Sequence, residues 1–119
     1  MDIILFNSRD EILRLHLDKI VYFEGNGNYT IIYMSNKMKF STGMNLSQME
    51  TVIRERLSGK ECYFARVGKS YIINMKYLTL VNVLKRLIVL SDGNMCIYSL
   101  EASRDAVKNL KEAVKQIKI

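Results

Sequence analysis

The chain has 119 residues, 49% of them hydrophobic, a size and composition that fit one domain, spanning 1–119, with a core of its own. Its 18 Lys and Arg against 12 Asp and Glu leave a formal charge of +6, a basic balance that favours an anionic partner, nucleic acid or membrane, or simply serves solubility. No apolar run approaches the roughly 18–20 residues of a spanning helix, and Met1-Asp2-Ile3-Ile4-Leu5-Phe6 has neither the basic start nor the small-residue cleavage site of a secretory leader, so a cytoplasmic location without membrane insertion is expected.

Taken in chain order, the pattern is mostly strand. Residues 3–6, 12–16, 20–24, 29–34 and 37–41 are short runs of β-branched, aromatic and aliphatic side chains, separated by Asn-Ser, Leu-Asp, Gly-Asn-Gly-Asn and Ser-Asn. From Leu46 to Leu57 the period changes. Leu46, Met49, Val52, Ile53 and Leu57 recur at intervals of three and four behind Asn45, a good N-cap, and Ser58-Gly59 ends this short amphipathic helix. A second group of strands is predicted at 63–67, 70–74, 77–83, 87–91 and 95–98, with Asp92-Gly93 as a hairpin turn. A final helix is predicted from about Ala102 to Ile117. It carries Val107, Leu110, Val114 and Ile117 on one face and Lys108, Lys111, Lys115 and Lys118 on others, so it reads as a terminal cap over the sheet. With no proline, repeat or Ser/Gly-rich linker, nothing marks an internal boundary.

The basic excess is uneven. Residues 1–60 hold 8 basic and 7 acidic side chains, a net +1, while residues 61–119 hold 10 and 5, a net +5. Catalytic constellations are missing from the sequence. The lone histidine, His16, lies in an apolar strand pattern and reads as structural, and no HExxH, GxSxG, GxxxxGK[ST] or GxGxxG occurs. Gly25-Asn26-Gly27-Asn28 leads into a strand rather than a helix, so its glycines serve a turn and not a phosphate loop. The carboxylates lack metal-site spacing, and Cys62 and Cys96 are too far apart for a CxxC motif, so they read as small buried hydrophobes. No enzyme activity, cofactor or metal is expected.

Two segments carry a resemblance: Ile20-Val21-Tyr22-Phe23-Glu24-Gly25-Asn26-Gly27-Asn28-Tyr29-Thr30 and Phe64-Ala65-Arg66-Val67-Gly68-Lys69-Ser70-Tyr71-Ile72-Ile73-Asn74. In this order, separated by a short leucine-containing helix and followed by Leu90-Ser91-Asp92-Gly93, they resemble the LytTR DNA-binding domain, a response-regulator output module of bacterial two-component systems. The match runs from about Ile3 to Tyr98. It implies an elongated, mainly β fold of antiparallel sheets with one short internal helix and a C-terminal helix. It also implies sequence-specific binding of double-stranded promoter DNA, in which loops rather than a recognition helix enter successive major grooves. The matching places are the turn at Asn28-Tyr29, the turn at Lys69-Ser70 and the region after Ser99. A second copy on paired repeats, and RNA polymerase as a further contact, follow from the same resemblance.

The chemistry of these positions suits the task. Asn28 can read adenine N6/N7, Lys69 can donate to guanine O6/N7 or phosphate, and Tyr29 offers a hydroxyl, though it equally starts a strand and packs. Arg66 either pairs with a carboxylate or touches phosphate. Lys85-Arg86 forms an apparent hairpin turn whose cations are either solvated or on phosphate. The family pattern often has histidine where this chain has Gly68, and arginine just after the serine where it has Ser99-Leu100-Glu101; a carboxylate accepts from cytosine N4, and Arg104 stands one turn further on to substitute for the arginine. The alternative is a basic β-rich protein-interaction or membrane-surface module that docks through the terminal helix or a strand edge.

Overall fold

The computed structural model of the chain describes residues 2–116. Two hairpin strands come first, β1 (Ile3–Asn7) and β2 (Ile12–His16), then a 3-10 turn at Leu17–Lys19. There follow β3 (Ile20–Asn26), β4 (Tyr29–Met34), β5 (Lys39–Thr42) and α1 (Leu46–Arg56). The second half runs β6 (Phe64–Val67), β7 (Tyr71–Asn74), a 3-10 turn at Met75–Tyr77, β8 (Leu78–Asn82), β9 (Leu87–Ser91), β10 (Ile97–Glu101) and α2 (Arg104–Lys115). The fold is mainly β and entirely antiparallel in its pairings, and it is elongated, 44 × 30 × 29 Å.

A five-stranded sheet in the order β5-β4-β3-β7-β6 forms the middle layer. Side chains alternate across its pleat, so each strand feeds both faces. Phe23, Ile32 and Ile72 point to one side, where Leu46, Met49, Ile53 and Leu57 of the α1 region and Ile4 and Leu15 of the β1–β2 hairpin close a first core. Tyr22, Val67 and Ile73 point to the other, where Ile88, Leu90 and Leu100 of the three-stranded sheet β10-β9-β8 and Val107 and Leu110 of α2 close a second. A register shift in the β3–β4 pairing between Ile20 and Tyr22 explains why adjacent Val21 and Tyr22 both join the second core.

The expected elements all form, with shifted ends that have local causes. Lys37 takes φ 73 in a turn where the Asn36 side chain accepts the Met38 N–H at 3.0 Å, so β5 begins at Lys39 rather than at residue 37. The Asp92 carboxylate accepts the N–H groups of Asn94 and Cys96 at 2.9 and 3.1 Å, which wraps the loop around Met95 and moves β10 onward to Ile97–Glu101. The strand therefore runs through Ser99 and Glu101, which lie opposite Val89 and Leu87, and the region after it is the short link 102–103 to α2.

Ser103 caps α2 by accepting the Ala106 N–H at 3.2 Å, so that helix starts at Arg104 and not at Ala102. Of its expected apolar stripe, Val107 and Leu110 are buried and Val114 half-buried, while Ile117 and Lys118 lie outside the described residues. Asn45 caps α1 through a reciprocal pair with Gln48, both bonds 2.9 Å. Asn74 is fully buried and structural: its amide donates to Ile20 O at 2.9 Å and its Oδ1 accepts from Lys76 N at 2.9 Å. Cys96 is buried as expected, but Cys62 is exposed, and both thiols are free.

Candidate nucleic-acid interface

Antiparallel pairing brings several turns to one end of the molecule. β3 and β4 are joined by Gly27-Asn28, and Glu24 of β3 pairs with Tyr71 of β7, so the β6–β7 turn (68–70) lies beside the β3–β4 turn. The two are tied directly, the Gly25 N–H donating to Ser70 O at 2.8 Å. In the smaller sheet, Leu87 pairs with both Asn82 and Glu101, which sets the β8–β9 turn against the β10–α2 junction, and Ala102 N–H donates to Arg86 O at 3.3 Å. Ser70, Lys85, Arg86, Glu101, Ala102 and Ser103 together line one surface groove of about 370 Å³. A neighbouring groove of about 600 Å³ runs from Lys69 and Ser70 along α2 past Ala106 and Asn109.

The turns owe their shape to residues able to hold left-handed backbone. Gly27 (φ 64) is the first residue of the two-residue β3–β4 loop, the placement glycine takes in tight hairpins. Beyond it Asn28 is exposed, and Tyr29, 42% exposed, accepts from the Asn26 amide at 2.7 Å through its hydroxyl. Gly68 (φ 58) opens the β6–β7 turn, which leaves Lys69 and Ser70 exposed. Arg86 holds φ 53 without being glycine, at the close of the β8–β9 turn, where its N–H donates to Val83 O at 3.1 Å.

Among the described residues, none of Lys69, Lys85, Arg86 and Arg104 forms an ion pair. Four exposed cations at one end, without anionic partners, give that end a positive field. Two carboxylates sit among them, Glu101 at the end of β10 and Asp105 in the first turn of α2, which lines the groove shared by Lys69 and Ser70. Burial lifts the Tyr71 phenol above its usual range, and the charges of Glu24 and Glu101 add to the shift.

The expected site residues are thus distributed unequally. Ser70, Lys85 and Arg86 share one groove, and Lys69 joins Ser70 in the next. Asn28 and Tyr29 stand on the adjoining turn. Ser99 is exposed on β10 but lines neither groove, and Arg104 is exposed in the first turn of α2, also outside both linings. Arg66 is not free: its guanidinium bonds Glu50 and two turn carbonyls. Sequence reading missed Ser103 and Asn109, which only the packing of α2 against the β6–β7 turn brings in; Ser-Arg-Asp before an apolar period was the available N-cap signal.

A family model described as the LytTr DNA-binding domain matches residues 10–115. The chain belongs to the LytTR family. The fold agrees with a solved LytTr DNA-binding domain, that of a Bacillus cereus protein described as a methyl-accepting/DNA response regulator, at a TM-score of 0.64 and 14% identity, over 96% of this chain and 97% of that one. No curated protein matches the chain. As a LytTr domain the chain is a DNA-binding module rather than a member of an enzyme family. No helix of the described residues is long and apolar enough to cross a membrane.

Proposed function

We propose that this domain recognises a specific double-stranded promoter sequence, and that residues 1–119 act as one unit, the output of a bacterial two-component response regulator in the cytoplasm. The carrying observation is the convergence of the β3–β4, β6–β7 and β8–β9 turns and the β10–α2 junction at one end, with cations that no carboxylate of the described residues engages in an ion pair. Turns of this kind enter major grooves as side chains on short rigid stems. Lys69 and Asn28 stand at turn tips and suit base edges, Lys85 and Arg86 suit phosphates, and Tyr29, Ser70, Ser99 and Arg104 supply further donors around them. Arg66 belongs to the same site through the turn it holds. Two copies occupy neighbouring repeats on one face of the duplex, and bound copies regulate transcription by positioning RNA polymerase.

The interaction-module alternative gains nothing from α2, whose Val107 and Leu110 are already buried in the second core. The test is selection of random double-stranded DNA by the purified chain, then affinities for the recovered and a scrambled site across a salt series. A motif bound more tightly at every salt concentration, by about 10³-fold or more, supports the proposal. Equal affinities that fall together as salt rises leave only a basic surface and overturn it.

A further inference from the structure

Arg66 reaches in three directions from β6. Its Nε donates to Gly68 O at 3.1 Å, its Nη2 to Lys69 O at 3.4 Å, and its Nη1 to Glu50 Oε1 at 3.1 Å. Glu50 lies on α1, in a different layer, and its other oxygen accepts from Arg54 Nη2 at 3.0 Å. The Arg66 and Glu50 side chains are only 27% and 25% exposed.

We infer that Arg66 is a positioning residue, which clamps the β6–β7 turn to α1 through Glu50 so that Lys69 and Ser70 are presented in one orientation. The inference rests on the DNA-binding proposal and deepens it by separating the residue that shapes the turn from those that meet the duplex. A planar guanidinium carries its N–H donors in a fixed fork. Here one fork serves two successive carbonyls of an exposed turn and a carboxylate, so the turn's shape and its anchorage come from one side chain. Partial burial limits the solvent screening that makes exposed ion pairs weak. Ser70 O is held from the other side by the Gly25 N–H, so the turn is fixed at both ends, to β3 and to α1. Both Glu50 oxygens are engaged, which keeps the carboxylate in register for Nη1.

The decisive variants are Glu50→Gln and Arg66→Lys, each checked for an unchanged fold by circular dichroism and melting. If Arg66 were a phosphate contact, removing the competing charge of Glu50 would strengthen DNA binding, and Arg66→Lys would keep much of it. Clamping predicts the opposite sign: both variants lower the ratio of specific to scrambled-site affinity, on the order of tenfold, while the slope of log affinity against log salt stays at the wild-type value. A second readout needs no DNA. Amide hydrogen exchange at Gly68, Lys69 and Ser70 is expected to accelerate in both variants, with the β9 amides unchanged. Stronger binding by Glu50→Gln, a shallower salt slope in Arg66→Lys, or unaltered exchange in the turn each overturns the clamp. Absence of any specific binding by the wild-type chain overturns the DNA proposal alone, and the exchange measurement still decides whether Arg66 and Glu50 hold the turn.

Discussion

Gly68 and Ala106 meet so closely that a Cβ on Gly68 would lie 3.1 Å from the Ala106 Cβ. The contact joins the β6–β7 turn to α2 and disfavours a side chain at position 68. A side chain at Gly68 meets two penalties, the left-handed φ of 58 and the α2 surface. Gly68→Ala is expected to lower stability by about 1–2 kcal/mol. Adding Ala106→Gly should recover the steric share and leave the backbone share, which urea denaturation of the two single variants and the double variant measures. A neutral Gly68→Ala would show that neither the Ala106 contact nor the left-handed backbone costs stability here.

The α1 N-terminus rests on the Asn45–Gln48 pair, which satisfies two otherwise unbonded N–H groups. Asn45→Ala is expected to cost about 1 kcal/mol in equilibrium unfolding, with Asn45→Gly costing only a few tenths. No loss with Asn45→Ala would mean that the Asn45 side-chain cap does not stabilise the α1 N-terminus.

Arg86 occupies a conformation that glycine would hold without strain. Arg86→Gly is therefore expected to unfold no more easily than the parent, gaining up to about 1 kcal/mol, while the slope of log DNA affinity against log salt becomes shallower by about 1. Stability kept and salt dependence lost would identify a residue retained for its charge at the expense of its backbone. A fall in stability would instead place the Arg86 side chain among the groups that support the turn.

Alkali should act through the tyrosines that line the space between layers. Burial, then a hydrogen bond to the Glu24 carboxylate, pushes the Tyr33 phenol up to about 12, and burial takes Tyr63 to about 12 as well. These folded-state values exceed the roughly 10 of an unfolded tyrosine. The unfolded chain releases protons first, so the stability from these groups is complete below pH about 10 and declines as pH rises toward 12. Denaturation midpoints across that window should fall, and Tyr33→Phe should flatten part of the decline. A midpoint independent of pH there would deny that the folded state resists ionisation of these phenols.

The two thiols should differ sharply toward an alkylating reagent. Cys96 is 1% exposed and burial raises its thiol above the usual range, whereas Cys62 is exposed. Under native conditions, mass spectrometry should find one modification, at Cys62, with Cys96 labelled only after denaturation. Rapid native labelling of Cys96 would reveal opening of the second core.

Element order and antiparallel pairing were legible because short alternating runs and their turn residues are local signals: Gly27-Asn28, Asp92-Gly93 and the Asn45 cap each announce themselves in a few residues. The boundaries that moved did so through side-chain bonds that periodicity does not encode, such as Asp92 collecting the N–H groups of Asn94 and Cys96. Division into two cores was not legible, since Tyr22 and Phe23 are simply adjacent apolar residues until the neighbouring layers are known. The turn cations could be named from sequence, but not their shared groove, which depends on how the smaller sheet sits on the larger. Arg66 shows the limit most clearly: its carboxylate partner lies 16 residues away on another layer.

Asn28, Lys69, Ser70, Lys85 and Arg86, at the tips of the β3–β4, β6–β7 and β8–β9 turns, belong to neither apolar cluster, whereas Val83 at the start of the β8–β9 turn packs against the second. The domain is thus divided into a framework and a rim, and under the proposed function a new target preference is expected to be written at turn tips without repacking a buried residue. What the framework does dictate is loop length and backbone hand, through Gly27, Gly68 and Arg86. Grafting foreign turns onto this scaffold should succeed where those three left-handed positions are kept, even if every other tip residue is exchanged.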